Sequence, residues 1–438
     1  MYFSRWTRRG GAGLIVGTAA AAVLGLAGPA LAAGGPVSTH PASGTPALAP
    51  TGSTEQVRQL VQCGGTMYAV GSFTSIKQGS TTFSRHNAFS FSATAPYKVT
   101  SWNPNVSGKV NTIAFNGTGC HNAYLGGKFS SVHGSSAKNL VEVSTSTGAI
   151  NTAFAHNANG QVETMLVAHG HLFTGGYFTS INGSGNKYLV GLSPTTGKDD
   201  GFVHLSISGN YTSGQATRVY NQQLSPTGNR SLVEGVFTSV GGRHRQQIFM
   251  LQLNGTTATV TPWTSAEFNG ACVPGESFYL RAASWSPDAK TVYIATTGFH
   301  PLGGPTGATQ RTGLCDAAAA FPSTQSSVGH KWVNYTGCDS LFSTAADSNT
   351  AYFGGHERWF SNPQACDSAG PGAVSAPGMA GLSASGGAVV WNPTRARGLG
   401  ADDMLVTGAG LWVASDNAFG SSQCGGVGGH AGICFLPY

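Results

Sequence analysis

From about residue 57 onward the chain alternates apolar and polar positions in short runs cut by Gly, Asn and Ser, the pattern of antiparallel strands joined by tight turns. The clearest stretch reads Val110-Asn111-Thr112-Ile113-Ala114-Phe115, then Ala123-Tyr124-Leu125-Gly126-Gly127, then Leu140-Val141-Glu142-Val143, then a fourth run from Ile150 to Phe154. An aromatic-tipped turn recurs in step with these runs, as Gly71-Ser72-Phe73-Thr74-Ser75, Gly127-Lys128-Phe129-Ser130-Ser131, Gly176-Tyr177-Phe178-Thr179-Ser180 and Gly235-Val236-Phe237-Thr238-Ser239. Equivalent turn aromatics lie between 49 residues (Phe129 to Phe178) and 62 residues (Phe237 to Phe299) apart. Units of this size built from short strands bury their apolar faces only against one another. The pattern therefore predicts an all-β, seven-bladed β-propeller, with units starting near Val57, Val110, Val162, Ala216, Leu280, Leu341 and Asp403. Six blades plus a tail is the alternative.

The first six units each offer four strands, whereas the seventh offers three: Met404 to Thr407, Leu411 to Ala414, and Ile433-Cys434-Phe435. The segment Thr45-Pro46-Ala47-Leu48-Ala49-Pro50 is expected to complete the last blade from the N-terminal side, which would close the ring and cover a sheet edge. Trp102, Trp263, Trp332 and Trp391 fall in the fourth strands and are expected to pack between blades.

Residues 1–32 read as an export signal, with Arg5, Arg8 and Arg9 before an apolar run and Ala30-Leu31-Ala32 as a cleavage signature. Residues 33–55 are rich in Pro, Ala, Gly, Ser and Thr and read as a linker leading into a propeller over 56–438. No later segment is apolar enough to span a bilayer. Without the signal, 20 basic residues face 17 acidic ones, a net charge of +3, and no Lys/Arg run follows Arg9. Nucleic acid is a poor partner for so dilute a charge. Eight cysteines, all beyond the signal, suit four disulfides in an oxidising compartment, so the protein is expected to be secreted. There is no Cys-x-x-Cys pair and no His-x-x-x-His spacing, and neither a metal nor another cofactor is expected. A monomer is expected.

In a propeller the connection from strand two to strand three shares a face with the crossing to the next blade. Cys63 and Cys120 then occupy equivalent turns of adjacent units on the lower face, Cys272 with Cys315 and Cys338 with Cys366 fall on the upper face, and Cys424 with Cys434 would close a loop of unit seven. Eight cysteines allow about 105 pairings, and spacing alone does not choose among them.

The upper connections of units five to seven are long, and function concentrates in such loops. Unit five inserts a stretch holding His300, Arg311 and Asp316; unit seven adds Asp416, Asn417 and Phe419. Within unit six, His356, Glu357, Arg358 and Trp359 form the densest polar cluster of a charge-poor chain, followed by Asp367. Trp359 is placed to stack on a sugar while Glu357 and Arg358 bind polar groups; the competing reading has Arg358 bridge Asp367 to hold the loop. Arg395 and Arg397 would meet a carboxylate or phosphate, or simply solvent. Together with Asp416 these are the candidate ligand-binding residues; no catalytic residue is assigned. Inner strands are expected to line the channel with Gln59, Thr112, Thr164, Arg218, Arg281, Ser343 and Asp403. Glycoside hydrolysis would need two carboxylates facing each other, drawn from Glu357, Asp367, Asp402, Asp403 and Asp416, and no Gly-x-Ser-x-Gly elbow is present.

The Gly-x-Phe-Thr-Ser turn, the Asn139-Leu140 and Thr147-Gly148 elements and the Trp102-Asn103-Pro104 strand resemble the delta-60-repeat β-propeller family of secreted bacterial proteins, over most of the chain. Gly354-Gly355-His356-Glu357-Arg358-Trp359 and the run from Asp367 to Gly372 look like later, divergent blades of that family. The resemblance implies fold and export, and no catalytic residues. The functional expectation is an extracellular binding module for a cell-envelope or environmental glycan. Its alternatives are a polysaccharide hydrolase or lyase acting through the upper-face carboxylates with His356, and a scaffold that docks another secreted protein.

Overall fold

The computed structural model describes residues 35–117, 119–211, 215–269, 272, 279–298, 313–418 and 423–438. The export signal and Phe299, His300, Arg311 and Phe419 lie outside the described residues. Among the described residues almost all regular structure is β, with one 3-10 turn at Ala266–Asn269.

Besides four small sheets of outer hairpins, the described residues form seven antiparallel sheets that follow one another along the chain, and their first strands are Gln56–Cys63, Lys109–Phe115, Val162–Ala168, Arg218–Leu224, Tyr279–Trp285, Leu341–Ala346 and Asp403–Thr407. Each of these packs on its counterpart in the next sheet, and Asp403–Thr407 packs on Gln56–Cys63, so the innermost strands form a closed ring. The chain is thus a β-propeller. Sheets four to six have four strands, while in sheets one to three the fourth is reduced to a single bridge, Phe91 with Val99, Val143 with Ile150 and Leu192 with Asp199.

The recurrent glycine has a steric cause. In sheets one to six the first strand carries an extra residue between Val57 and Gln59, Val110 and Thr112, Val162 and Thr164, Val219 and Asn221, Leu280 and Ala282, and Leu341 and Ser343. Such a bulge swings the backbone across its partner strand. A Cβ on Gly71, Gly127, Gly176, Gly235 or Gly355 would lie 2.0–2.2 Å from a carbonyl oxygen just before the bulge, so only glycine fits. The bulge sends the apolar residue before it into the packing between blades, where Val57, Val110, Val162, Val219, Leu280 and Leu341 are fully buried. It sends the extra residue into the channel.

The turn aromatics Phe73, Phe129, Phe178 and Phe237 are buried under the second-to-third connection. Asn87 and Asn139, both in the left-handed region (φ 66° and 64°), clamp that connection. Their Oδ1 atoms accept from the Phe73 and Phe129 amides, and their Nδ2 groups donate to Val106 and Ala158 at the start of the next blade. The tryptophans clasp blades from the other side. Trp102 donates its indole N–H to Ser144, Trp263 to Pro322, Trp332 to Ala384 and Trp391 to Ser38, each acceptor a carbonyl beyond its own sheet.

The seventh sheet has three strands, ending with Ile433–Pro437. Its outer edge is covered by residues 38–42 rather than by the expected 45–50: Ser38 N donates to Pro437 O and Ala42 N to Phe435 O. The expected segment pairs instead with the hairpin of blade one, Ala47 opposite Lys77 and Leu48 opposite Ile76. Pro46 and Pro50 lack the amide hydrogens for a longer ladder, which confines that strand to two residues. Much of the region read as a linker is therefore packed; Val37, Ala47, Leu48 and Ala49 are buried. The disulfides join Cys63 to Cys120, Cys272 to Cys315, Cys338 to Cys366 and Cys424 to Cys434. Among the described residues no helix is long and apolar enough to cross a membrane.

Two predictions follow from this packing. Asn139→Ala, which loses both clamp bonds and keeps the left-handed backbone, should lower unfolding free energy by about 2–3 kcal/mol in urea denaturation. A chain starting at residue 51 should melt below one starting at residue 35 and self-associate on size exclusion, because the edge of Ile433–Pro437 is uncovered; equal melting and a monomeric profile would contradict the closing role of 38–42.

Candidate functional site

The upper rim of blade six is organised by Asp339, a buried carboxylate next to Cys338. Arg358 reaches it with both arms of its guanidinium, Nε to Oδ2 at 2.8 Å and Nη2 to Oδ1 at 2.9 Å, and with its backbone amide at 3.0 Å. Arg397 Nη2 donates to Oδ1 at 3.0 Å and its Nε donates to the His356 carbonyl. Arg358 also pairs with Asp367, as the loop-holding reading supposed, and its guanidinium lies 4.8 Å over the Trp359 ring. The two carboxylates raise the Arg358 pKa, with Asp339 the main cause. His356 sits edge-on to Phe342 with ring centroids 5.1 Å apart, and burial lowers its pKa.

Glu357, Arg395 and Asp416 lie beneath this rim, fully or almost fully buried, which corrects their expected exposure to a ligand or to solvent. Asp416 accepts from the amides of Leu399, Gly400 and Ala418 and lies 3.9 Å from Arg395 Nη2. Arg395 Nη1 donates to the carbonyls of Ala396 and Arg397. Neither oxygen of Glu357 has a hydrogen-bond partner among the described residues, and burial pushes its carboxyl up to about 8. The structure thus brings His356, Arg358, Trp359, Asp367 and Arg397 together around Asp339, and sets Glu357, Arg395 and Asp416 apart from the surface.

A second polar cluster stands where the first strands begin, in a cavity of about 290 Å³ at the upper mouth of the channel. Its walls carry Arg58, Lys109, Arg218 and Arg281 with Glu163, Asp402 and Asp403. None of these seven forms an ion pair within 4 Å among the described residues. The bulge explains the convergence, since Arg58, Asn111, Glu163, Tyr220, Arg281 and Phe342 are the extra residues of sheets one to six. Asp402, just before the ladder of sheet seven, joins them in the wall. Read around the ring, positive and negative groups alternate with uncharged ones.

Burial acts on the charged members. It lowers the Lys109 ammonium, raises the Glu163 carboxyl, and pushes Asp402 up to about 6. Asp402 Oδ2 and Arg58 Nε have no hydrogen-bond partner among the described residues. Arg281 lies 5.0 Å over Phe342, and Arg218 lies 4.8 Å over Tyr177 and 5.6 Å over Tyr220. Phe342 touches both Arg281 and His356, so the rim and the mouth are contiguous.

The channel residues named from the sequence divide into two sets. Gln59, Thr112 and Asp403 lace neighbouring strands, accepting from the amides of Ile113, Met165 and Leu60 at 2.7, 3.1 and 2.9 Å. In sheets four and five the laced position belongs to Asn221 and Ala282, so Arg218 and Arg281 are out of that register. Arg218 stands before the bulge and Arg281 is the bulge residue, and both reach the mouth. Of the carboxylates raised for hydrolysis, only Asp402 and Asp403 line this cavity.

No family model matches the sequence, and no curated protein matches it. Among solved structures, the chain resembles the WD40 β-propeller domain of Doa1 at TM-score 0.41 and 9% identity, over 85% of this chain and 93% of that one. It resembles the computationally designed Ika8 protein at 0.44 and 8%, over 92% and 100%, and a chain of the mitotic checkpoint complex at 0.39 and 9%, over 68% and 74%. The propeller assignment rests on the seven sheets and their ring, and the delta-60 resemblance on the repeat residues themselves.

Sequence reading missed Asp339, Arg58, Lys109 and Glu163. A signal existed for the first: Cys338-Asp339 and Cys366-Asp367 are both Cys-Asp pairs, so one disulfide sets two carboxylates beside Arg358. For Arg58 and Glu163 the bulge is decisive, because it breaks the period-two rule that assigns side chains to faces, while Lys109 stands one residue before the apolar position that precedes its bulge.

Glu357 yields a pH prediction. Its folded pKa lies above the unfolded one, so the folded state holds the extra proton between about pH 4.5 and 8 and stability falls as pH rises through that window. Glu357→Gln removes that group's contribution. Wild type should lose stability relative to the variant from pH 5 to 8, by no more than about 1.4 kcal/mol per pH unit, in urea unfolding at several pH values; parallel pH profiles would show an ionised Glu357.

Proposed function

We propose that the protein is a secreted binding module of the delta-60-repeat type, whose ligand, a glycan, is held in the channel mouth rather than on the rim. The observation that carries this reading is the contrast in charge use. On the rim, Arg358, Arg397 and Asp367 already satisfy one another around Asp339. In the mouth, four cations and three carboxylates converge without an ion pair among the described residues. Polar groups held partly out of water with unused bonding capacity favour a polar ligand that supplies the missing partners. Tyr177, Tyr220 and Phe342 add ring faces of the kind that stack on sugars. Secretion is supported by the export signal and by four disulfides, which persist in oxidising compartments.

The test is a glycan array with the full secreted chain, followed by calorimetry on the best ligand. Arg281→Ala should weaken binding about tenfold or more, the loss expected when a charged hydrogen bond is removed. Asp367→Ala, on the exposed rim, should change it less than about twofold. Retained affinity in Arg281→Ala would move the site away from the mouth, and release of reducing sugar would replace binding with hydrolysis.

A further inference from the structure

The mouth opens sideways into a groove between blades two and three, which shares Lys109, Glu163 and Tyr177 with it and continues past Lys128 to Lys138. Its floor is made by the turn of blade two, with Phe129 and Asn139, and its far wall by Asn159 and Gln161 of blade three.

Lys109 and Lys128 are directly opposite in the ladder of the first two strands of blade two. Directly opposed residues of an antiparallel pair project on the same side, and like charges there are destabilising. Burial is the main cause that lowers the Lys109 ammonium, with Arg58 and then Lys128 adding to it, and no ion pair relieves either lysine among the described residues. Lys138 adds a third cation without an ion pair farther out along the groove. Neutral residues in place of Lys109 and Lys128 would leave that ladder less strained.

Resting on the mouth reading above, we propose that this groove and the mouth together bind a uronate-bearing polysaccharide, one sugar end in the mouth and the chain running out over Lys109, Lys128 and Lys138. A uronate carries one carboxylate per ring among several hydroxyls. That sparse charge suits a row of separate ammonium groups that leads to a mouth where Arg58 and Arg281 alternate with Glu163 and Asp402. The cations meet carboxylates and the mouth carboxylates accept from sugar hydroxyls. A polyanion of dense charge would meet Glu163 and Asp402 as repulsion. Tyr177, exposed at the junction and backed by Arg218, offers a face for a ring at the turn from mouth to groove.

The experiment measures binding of the full secreted chain to polygalacturonate, to the same polymer with its carboxylates methyl-esterified, and to single-stranded DNA. It uses wild type, the groove variant K128A/K138A, and the mouth variant R281A. Polygalacturonate should bind, weaken with added salt, and lose about tenfold in affinity on esterification and a similar factor in K128A/K138A, as expected for loss of two charge contacts. DNA should bind more weakly than polygalacturonate. Unchanged affinity in K128A/K138A, equal binding of the esterified polymer, or DNA binding as tight as polygalacturonate would each overturn the uronate groove. If in those cases R281A still abolishes glycan binding, the mouth reading stands alone; if K128A/K138A weakens polygalacturonate and R281A does not, the mouth reading fails, and with it the proposed course of the chain.

Discussion

One extra residue in the innermost strand shapes the rest of this molecule. In blades one to four and six the bulge brings the strand so close to its partner that the facing position admits only glycine, whereas blade five carries Thr296 there. The apolar residue before the bulge is thereby turned into the gap between blades, and the extra residue into the channel. Packing and polar lining are two consequences of the same backbone event. A straight strand would send alternate residues to the two faces of its own blade, and the channel mouth would lose the row of Arg58, Glu163 and Arg281.

Cohesion between blades depends on side chains that reach across to backbone. The Asn87 and Asn139 amides, the laced Gln59, Thr112 and Asp403, and the four tryptophan indoles each satisfy a backbone group of another blade or of the closing segment. Such bonds contribute about 1 kcal/mol each, yet leaving their buried partners unsatisfied would cost more. The ring is thus stitched at three radii: laced inner strands, asparagine clamps on the upper face and tryptophans at the outer strands. Ser38 accepts from Trp391 and donates to Pro437, so the closing segment enters the same scheme as any other blade.

The distribution of charge separates scaffold from surface. On the rim a disulfide brings two Cys-Asp pairs onto Arg358, and the strongest-looking cluster of the sequence becomes an internal brace. In the mouth and the groove beside it, cations and carboxylates stand on separate blades, without an ion pair among the described residues. The same residue types serve opposite ends because in one place the backbone lets them meet and in the other it keeps them on separate blades.

Strand period, the glycine-aromatic turn, the outer-strand tryptophans and the cysteine spacing are local features, and they determined the propeller class and the approximate unit boundaries. Local spacing also bears on Arg358, since Asp367 lies only nine residues away. The tertiary structure decided what depends on register and on distant segments. Arg281 is the bulge residue of its strand and Arg218 stands before the bulge of its own, both out of the position assigned by counting, and residues 38–42 rather than 45–50 cover the last sheet edge. Burial of Glu357, Arg395 and Asp416 came from the packing of blades six and seven, which no single stretch encodes. The polar mouth draws one residue from nearly every blade, positions some fifty residues apart that become neighbours only when the ring closes.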